Sequence, residues 1–211
     1  MNFSKKTLLG SLLLLSATSA FAVDTADLRV IGTIAPTACT PTFAGGGTID
    51  YGLIPSASLN ATTPTTLADR TITYTITCDA PISIGTSWTD NRQDSTTRAT
   101  YSGLGKHMGA NIGHYIMRAV PAATTADGNP VDLIWRENAS TAWGLTTTTS
   151  VLWPNGVRTQ SYAPPGTLVP GAYTNYSGTV NVSTIIAPTS TLDMTSSITL
   201  DGLSTMTVRY L

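Results

Sequence analysis

Charge is scarce in this chain: Asp, Glu, Lys and Arg together make up 11% of its 211 residues. No basic stripe occurs, so nucleic-acid binding has no electrostatic support. Cysteine is rarer still, with Cys39 and Cys78 the only two. Neither belongs to a C-x-x-C pair, the usual mark of zinc ligation. The longest apolar run falls short of the about 20 residues that a membrane-spanning helix needs, and no convincing amphipathic helix is present. Catalytic signatures are missing as well. There is no G-x-S-x-G and no H-E-x-x-H. His107 and His114 lie in GKHMGANIGH without neighbouring carboxylates, and Gly103, Gly105 and Gly109 sit near Lys106 without Walker spacing. A glycosidase needs two carboxylates flanking one bond, and the nearness of Asp90 and Asp94 in sequence does not supply that. The residues predict no enzyme, no cofactor and no metal site.

What is present begins with an export signal. Lys5 and Lys6, the apolar run Leu8–Leu15 and the Ala20-Phe21-Ala22 motif make residues 1–22 read as a secretory signal peptide. Cleavage between Ala22 and Val23 leaves a single domain, 23–211, with no membrane anchor. Without Lys5 and Lys6 the balance is 9 basic against 12 acidic residues, a charge near −3. In an oxidising compartment two cysteines pair, and this bridge would close a loop of about 40 residues.

Threonine is abundant and spread along the chain, which suits exposed strand faces. In Thr71–Cys78, Ile72, Tyr74, Ile76 and Cys78 share one face and threonines take the other. In Leu28–Cys39, Leu28, Val30, Gly32 and Ile34 share a face in the same way. Pro41 to Gly47 reads as a loop, Ile49 to Ile54 as a short strand interrupted at Gly52, and 55–69 as a loop. Ile82, Ile84 and Trp88 are core positions, and 90–109 is a long surface excursion. Strands over 112–120 and 131–135 are joined across the Asp127-Gly128-Asn129 turn. The stretch 138–168 is too long for a sandwich loop and must hold a further strand. Gly171–Ile186 is a long strand with Tyr176, Val180, Val182 and Ile186 on one face. Met194–Leu200 and Leu203–Leu211 are expected to form a hairpin across Asp201-Gly202. Short alternating runs between Gly, Pro, Asn and Asp predict an all-β sandwich with long polar loops.

Together these features resemble chaperone–usher pilin subunits. The likeness rests on Gly32-x-Ile34 with Cys39 seven residues beyond the glycine, on Tyr51-Gly52-Leu53-Ile54, and on the alternating strand closing in Cys78. It rests also on the ending Thr205–Leu211, with tyrosine next to last. Within that group the chain is similar to the fimbrial-like periplasmic proteins grouped as the DUF1120 family. The resemblance is best over 28–78 and 200–211. It implies an immunoglobulin-like, pilin-like sandwich that lacks its last strand. A periplasmic chaperone would lend that strand, and the N-terminal arm of a neighbouring subunit would replace it. The implied partners are the chaperone, an usher and other fimbrial subunits, and the implied location is the periplasm or a fimbrium at the cell surface.

Residue by residue, Cys39 and Cys78 match the pilin disulfide. Met206, Val208 and Tyr210 match the alternating residues against which a chaperone strand zips; alternatively, they face the core of a finished sandwich. Val23, Thr25 and Asp27 form a short donor arm that is poor in apolar knobs. A polymerising subunit, a minor or terminating one, and a free periplasmic protein with the same fold therefore all stay open. A second function is a self-complete sandwich that binds a glycan or surface. Trp88, Trp135, Trp143 and Trp153 would then stack on sugar rings, whereas the competing expectation buries them in the core.

Overall fold

The structure is a computed structural model that describes residues 28–32 and 38–211. Its longer strands are β1 (Cys39–Phe43), β2 (Arg70–Ile82), β3 (Ile84–Asp90), β4 (Gly113–Ala119), β5 (Asp132–Glu137), β6 (Arg158–Ala163), β7 (Tyr173–Ile186) and β8 (Ser204–Tyr210). They form two antiparallel sheets. One runs β1–β2–β7–β4 and ends on the short strand Ser102–Gly103; the other runs from Gly144–Leu145 through β5–β6–β3–β8. The fold is an all-β sandwich with one disulfide, Cys39–Cys78, which bridges directly paired residues of β1 and β2. Among the described residues no helix is long and apolar enough to cross a membrane.

The threonine alternation sets the inner face of the first sheet. Tyr74, Ile76 and Cys78 of β2 are buried, as are Tyr176, Val180, Val182 and Ile186 of β7, while the β2 threonines stay exposed. Near Pro81 the β2–β7 ladder slips, between Tyr173 and Asn175. A proline cannot donate to a ladder, and the chain leaves the first sheet here. It resumes as β3 in the second sheet, carrying Ile84 and Trp88 into the core. The two sheets meet through tyrosines. The Tyr74 and Tyr162 hydroxyls are 2.9 Å apart, the Tyr162 and Tyr176 rings are 4.7 Å apart, and the Tyr176 hydroxyl donates to the Ile82 carbonyl. Each buried hydroxyl thus has a partner, which avoids the cost of about 1–3 kcal/mol for an unmade bond. Opposite Tyr74 sits Gly178, where a Cβ would lie 2.5 Å from the Tyr74 oxygen.

The strand expected within 138–168 is β6. The Asp127-Gly128 turn also forms as expected, closing the small Thr125–Ala126/Asn129–Pro130 hairpin with both φ angles positive, 47° and 78°. Asp127 further caps the slip in β7, accepting from the amides of Thr174 and Asn175.

Four expectations differ from the structure. Leu28–Gly32 belongs to no strand, and the first strand instead covers 39–43, over part of the expected loop. Pro41 is tolerated there because β1 is the edge of its sheet, and Phe43 packs on Tyr74 and Trp88. Ile49–Ile54 has no strand partner among the described residues. The stretch 90–109 is not a surface excursion throughout, since Ser95, Ser102, Gly103 and Leu104 are buried. Finally, Met194–Leu200 and β8 make no hairpin. A two-residue hairpin turn needs positive φ, and neither Asp201 nor Gly202 has it. Arg92 holds the Asp201 carboxylate at 2.8 and 3.2 Å, and the Asp201 amide donates to Leu104 O at 2.9 Å. The segment stays extended, and β8 pairs with β3 in the register Met206↔Trp88 and Tyr210↔Ile84.

Candidate functional site

Two lengths of chain border an open slot in the sandwich. The first is β1 and its continuation, with Thr48–Ile54 lying outside any strand. The second is Met194–Leu200 and β8. Across the upper part of the slot, Thr48–Ile54 faces Met194–Leu200 over an 850 Å³ cavity floored by Ile112, Ile186 and Leu192. A 470 Å³ cavity follows, reaching Trp88, Met117 and Val180 between Phe43–Ile49 and Leu200–Ser204.

The borders carry unused backbone hydrogen-bonding groups. Among the described residues, neither 48–54 nor 197–200 makes a backbone–backbone hydrogen bond, while Met194 and Thr195 lie in a turn. Their amides bond only locally, Gly52 to Asp50 at 2.7 Å and Thr195 to Asp193 at 2.9 Å. On β8 one side pairs with β3, and no described strand takes the other. An apolar floor between two rows of unpaired N–H and C=O groups has the chemistry of an empty strand position.

The borders are held in place. At one end Cys39 N–H donates to the Tyr210 hydroxyl at 3.0 Å, tying the disulfide to the last strand. At the other, the loop after β3 clasps 201–205. Besides the Arg92–Asp201 pair, the Asn91 amide donates to Leu203 O and its side chain to Thr205 Oγ1, both at 2.8 Å. Asp90 holds this loop shut by accepting from the amides of Arg92 at 3.0 Å and Gly103 at 2.8 Å. Gly103 allows that approach, since a Cβ there would lie 2.2 Å from Arg92 O.

The residues singled out in the sequence fall as follows. Met206 is buried, Val208 is half-buried and Tyr210 is 52% exposed. Ala22, Val23, Thr25 and Asp27 lie outside the described residues, as do all of residues 1–27. Asp90 and Asp94 do not face a common substrate space, because Asp90 is spent on loop amides and Asp94 pairs with Lys106 at 2.9 Å. Trp88 is in the core, Trp135 and Trp143 are half-buried, and Trp153 is 36% exposed. The slot itself has no sequence signature beyond alternating stretches whose partners are missing. Among the described residues no cluster of His, Cys, Asp and Glu could hold a metal ion.

His114 lies on β4, buried, with Nδ1 2.7 Å from Thr97 Oγ1 and its ring stacked on Tyr101 at 5.4 Å. Burial, helped by the Arg98 charge, lowers its pKa from 6.5. The native state therefore binds the proton less readily than the unfolded chain, so stability falls as pH drops through the ordinary value of 6.5. Asp90 works in the opposite sense. Its pKa is raised, chiefly by burial, so its contribution is greatest in acid and is lost as pH rises. The His114 part is isolated by difference: His114→Gln flattens the fall in unfolding free energy between pH 7 and 5, by at most about 1.4 kcal/mol per pH unit, read from denaturant melts.

Comparison with known proteins follows the same lines. A family model described as "Protein of unknown function (DUF1120)" matches residues 28–128. Protein GltF of Escherichia coli (strain K12) is 31% identical over an alignment 242 positions long, gaps included, which covers 93% of each chain. The uncharacterized protein YhcF of the same organism is 34% identical over 102 residues, 47% of this chain and 43% of YhcF.

Proposed function

The chain belongs to the DUF1120 family, to which its GltF likeness over nearly its whole length also assigns it, and on that premise we propose that it is an exported, fimbrial-like subunit completed by strand addition. The observation that carries the reading is the slot: two stretches outside any strand, Thr48–Ile54 and Met194–Leu200, with β8 beyond them, facing each other across an apolar floor. A periplasmic chaperone strand, and later a strand of a neighbouring subunit, would supply hydrogen bonds to both borders. Alternate side chains would set the register. Met206 and Val208 then line the inner side of the border strand, and Tyr210 marks its end.

The strand a neighbour receives is the stretch around Leu28–Gly32. Leu28 and Val30 are 91% and 87% exposed, and these residues belong to no strand. Once extended as an added strand, Leu28 and Val30 would share one face, with Gly32 continuing the alternation. This removes the difficulty raised by the polar set Val23, Thr25 and Asp27, because the donor arm then reaches past Asp27 into an apolar stretch.

Purified chain lacking its signal segment tests the reading. It is expected to form head-to-tail multimers on concentration, seen by size-exclusion chromatography with light scattering, and Val30→Asp is expected to keep it monomeric. A monomer at all concentrations, unchanged by Val30→Asp, would instead favour a self-complete sandwich.

A further inference from the structure

Beyond Trp88, which also reaches the slot, the second sheet carries a small cavity of 60 Å³, lined by Trp88, Trp135, Trp153, Arg158, Gln160 and Ser150 among others. Cross-strand pairing places Trp135 opposite Gln160, and Glu137 opposite Arg158. Trp135, Arg158 and Gln160 therefore share one face of the β5–β6 pair. The Arg158 guanidinium lies between two indoles, 4.2 Å from the Trp135 ring centre and 3.8 Å from that of Trp153. Its Nη2 meets Glu137 at 3.5 Å, a long pair to a largely exposed carboxylate. Such an exposed pair neutralises little of the cation.

Two donors on these lining residues have no protein acceptor. Trp88 Nε1 and Arg158 Nε are both buried without a hydrogen-bond partner. Each such unpaired group costs about 1–3 kcal/mol, so two of them at one cavity call for an acceptor. A cation and an N–H donor between aromatic walls favour an anionic acceptor over a neutral one. The volume has room for a few waters, each needing about 10–15 Å³ of such space, or for one carboxylate in their place, and is too small for a sugar or benzene ring. It fits a carboxylate. Trp153, 36% exposed at the mouth, leaves indole surface for the rest of the molecule.

We propose that this cavity binds the carboxylate of a small ring-bearing acid, with Arg158 and Trp88 donating to it and Trp153 packing on the ring. The shared chemistry is a carboxylate on a six-membered ring, which both sugar acids and aromatic acids supply. Trp88 borders the slot as well, whereas Arg158 lines this cavity alone, so Arg158→Lys separates the two readings.

The test is intrinsic tryptophan fluorescence of the folded, oxidised protein, titrated separately with glucuronate, benzoate, glucose and sodium chloride at constant ionic strength. A saturable change with glucuronate assigns a sugar acid, and one with benzoate an aromatic acid; glucose and chloride are expected to give none. Trp88→Phe keeps an aromatic ring but removes the N–H, and Arg158→Lys keeps the charge but removes the stacked Nε donor. Each is expected to raise the apparent Kd at least tenfold, read from the remaining tryptophans. No saturable change with either acid, an equal response to glucose or chloride, or unchanged affinity in both variants overturns the proposal. The wild-type titration decides the matter even if a variant fails to fold.

Discussion

Cys78→Ala lowers the stability of the domain by about 4 kcal/mol in the chain-entropy account of a loop this long, a fall of about 10 °C in melting temperature for a chain of this size. The loop separates the cysteines by 39 residues. Outside the bridge, β1 is held by five paired residues of β2 and, at its first residue, by the Tyr210 hydroxyl. Losing the bridge therefore loosens a border of the slot as well as the sheet. Thermal melts of oxidised wild type and of Cys78→Ala measure the difference. A change below about 1 kcal/mol would mean that β1 is held by the rest of the sheet alone.

A gain of similar size is expected in the other direction. Extending the chain beyond Leu211 by a short glycine-rich turn and a copy of residues 28–34 is expected to raise the melting temperature by about 10 °C or more, equivalent to about 3 kcal/mol or more. After such a turn the added strand runs antiparallel to β8 and lies between the two borders. It buries its leucine, valine and isoleucine on a floor that is already apolar, at about 1.5–3 kcal/mol each before ordering costs. It also supplies partners to backbone groups on both sides. The same extension with aspartate in place of its valine is the control and is expected to give no gain. Equal melting temperatures for the two extensions would show that the slot does not accept this strand.

Strands are legible in the sequence where their partners lie in the chain and their inner faces alternate cleanly. Tyr74, Ile76 and Cys78, or Tyr176, Val180 and Val182, can be assigned to a face from alternation alone, because a half-buried strand separates threonine from apolar residues at period 2. Three alternating stretches read as strands yet pair with nothing among the described residues: Leu28–Gly32, Ile49–Ile54 and Met194–Leu200. Alternation reports that a segment suits a sheet. It does not report whether the neighbour belongs to the same chain. The Asp201-Gly202 hairpin is absent for a related reason. A local turn signal carries no information about Arg92 and Leu104, about a hundred residues earlier, which fix Asp201 in an extended segment.

The Arg158 site is only half visible in the sequence. Trp135 and Trp153 stand out as aromatic residues, but no spacing marks Arg158 as the cation that enters between them, since Trp135 and Arg158 meet only through the β5–β6 register. In the same way Asp90 and Asp94 are neighbours in sequence, and only the loop geometry shows that Asp90 binds backbone amides.

Backbone amide hydrogen exchange tests strand addition most directly, because it reads the unpaired borders themselves. In the isolated chain, the amides of 48–54 and 196–200 are expected to exchange fast while Tyr74–Cys78 and Tyr176–Val182 are protected. Adding a peptide of residues 28–37, or the C-terminal extension, is expected to bring both borders and the outer side of β8 into protection together. Borders that are already protected in the isolated monomer, and unchanged by the added strand, would contradict the account and leave a sandwich complete in itself.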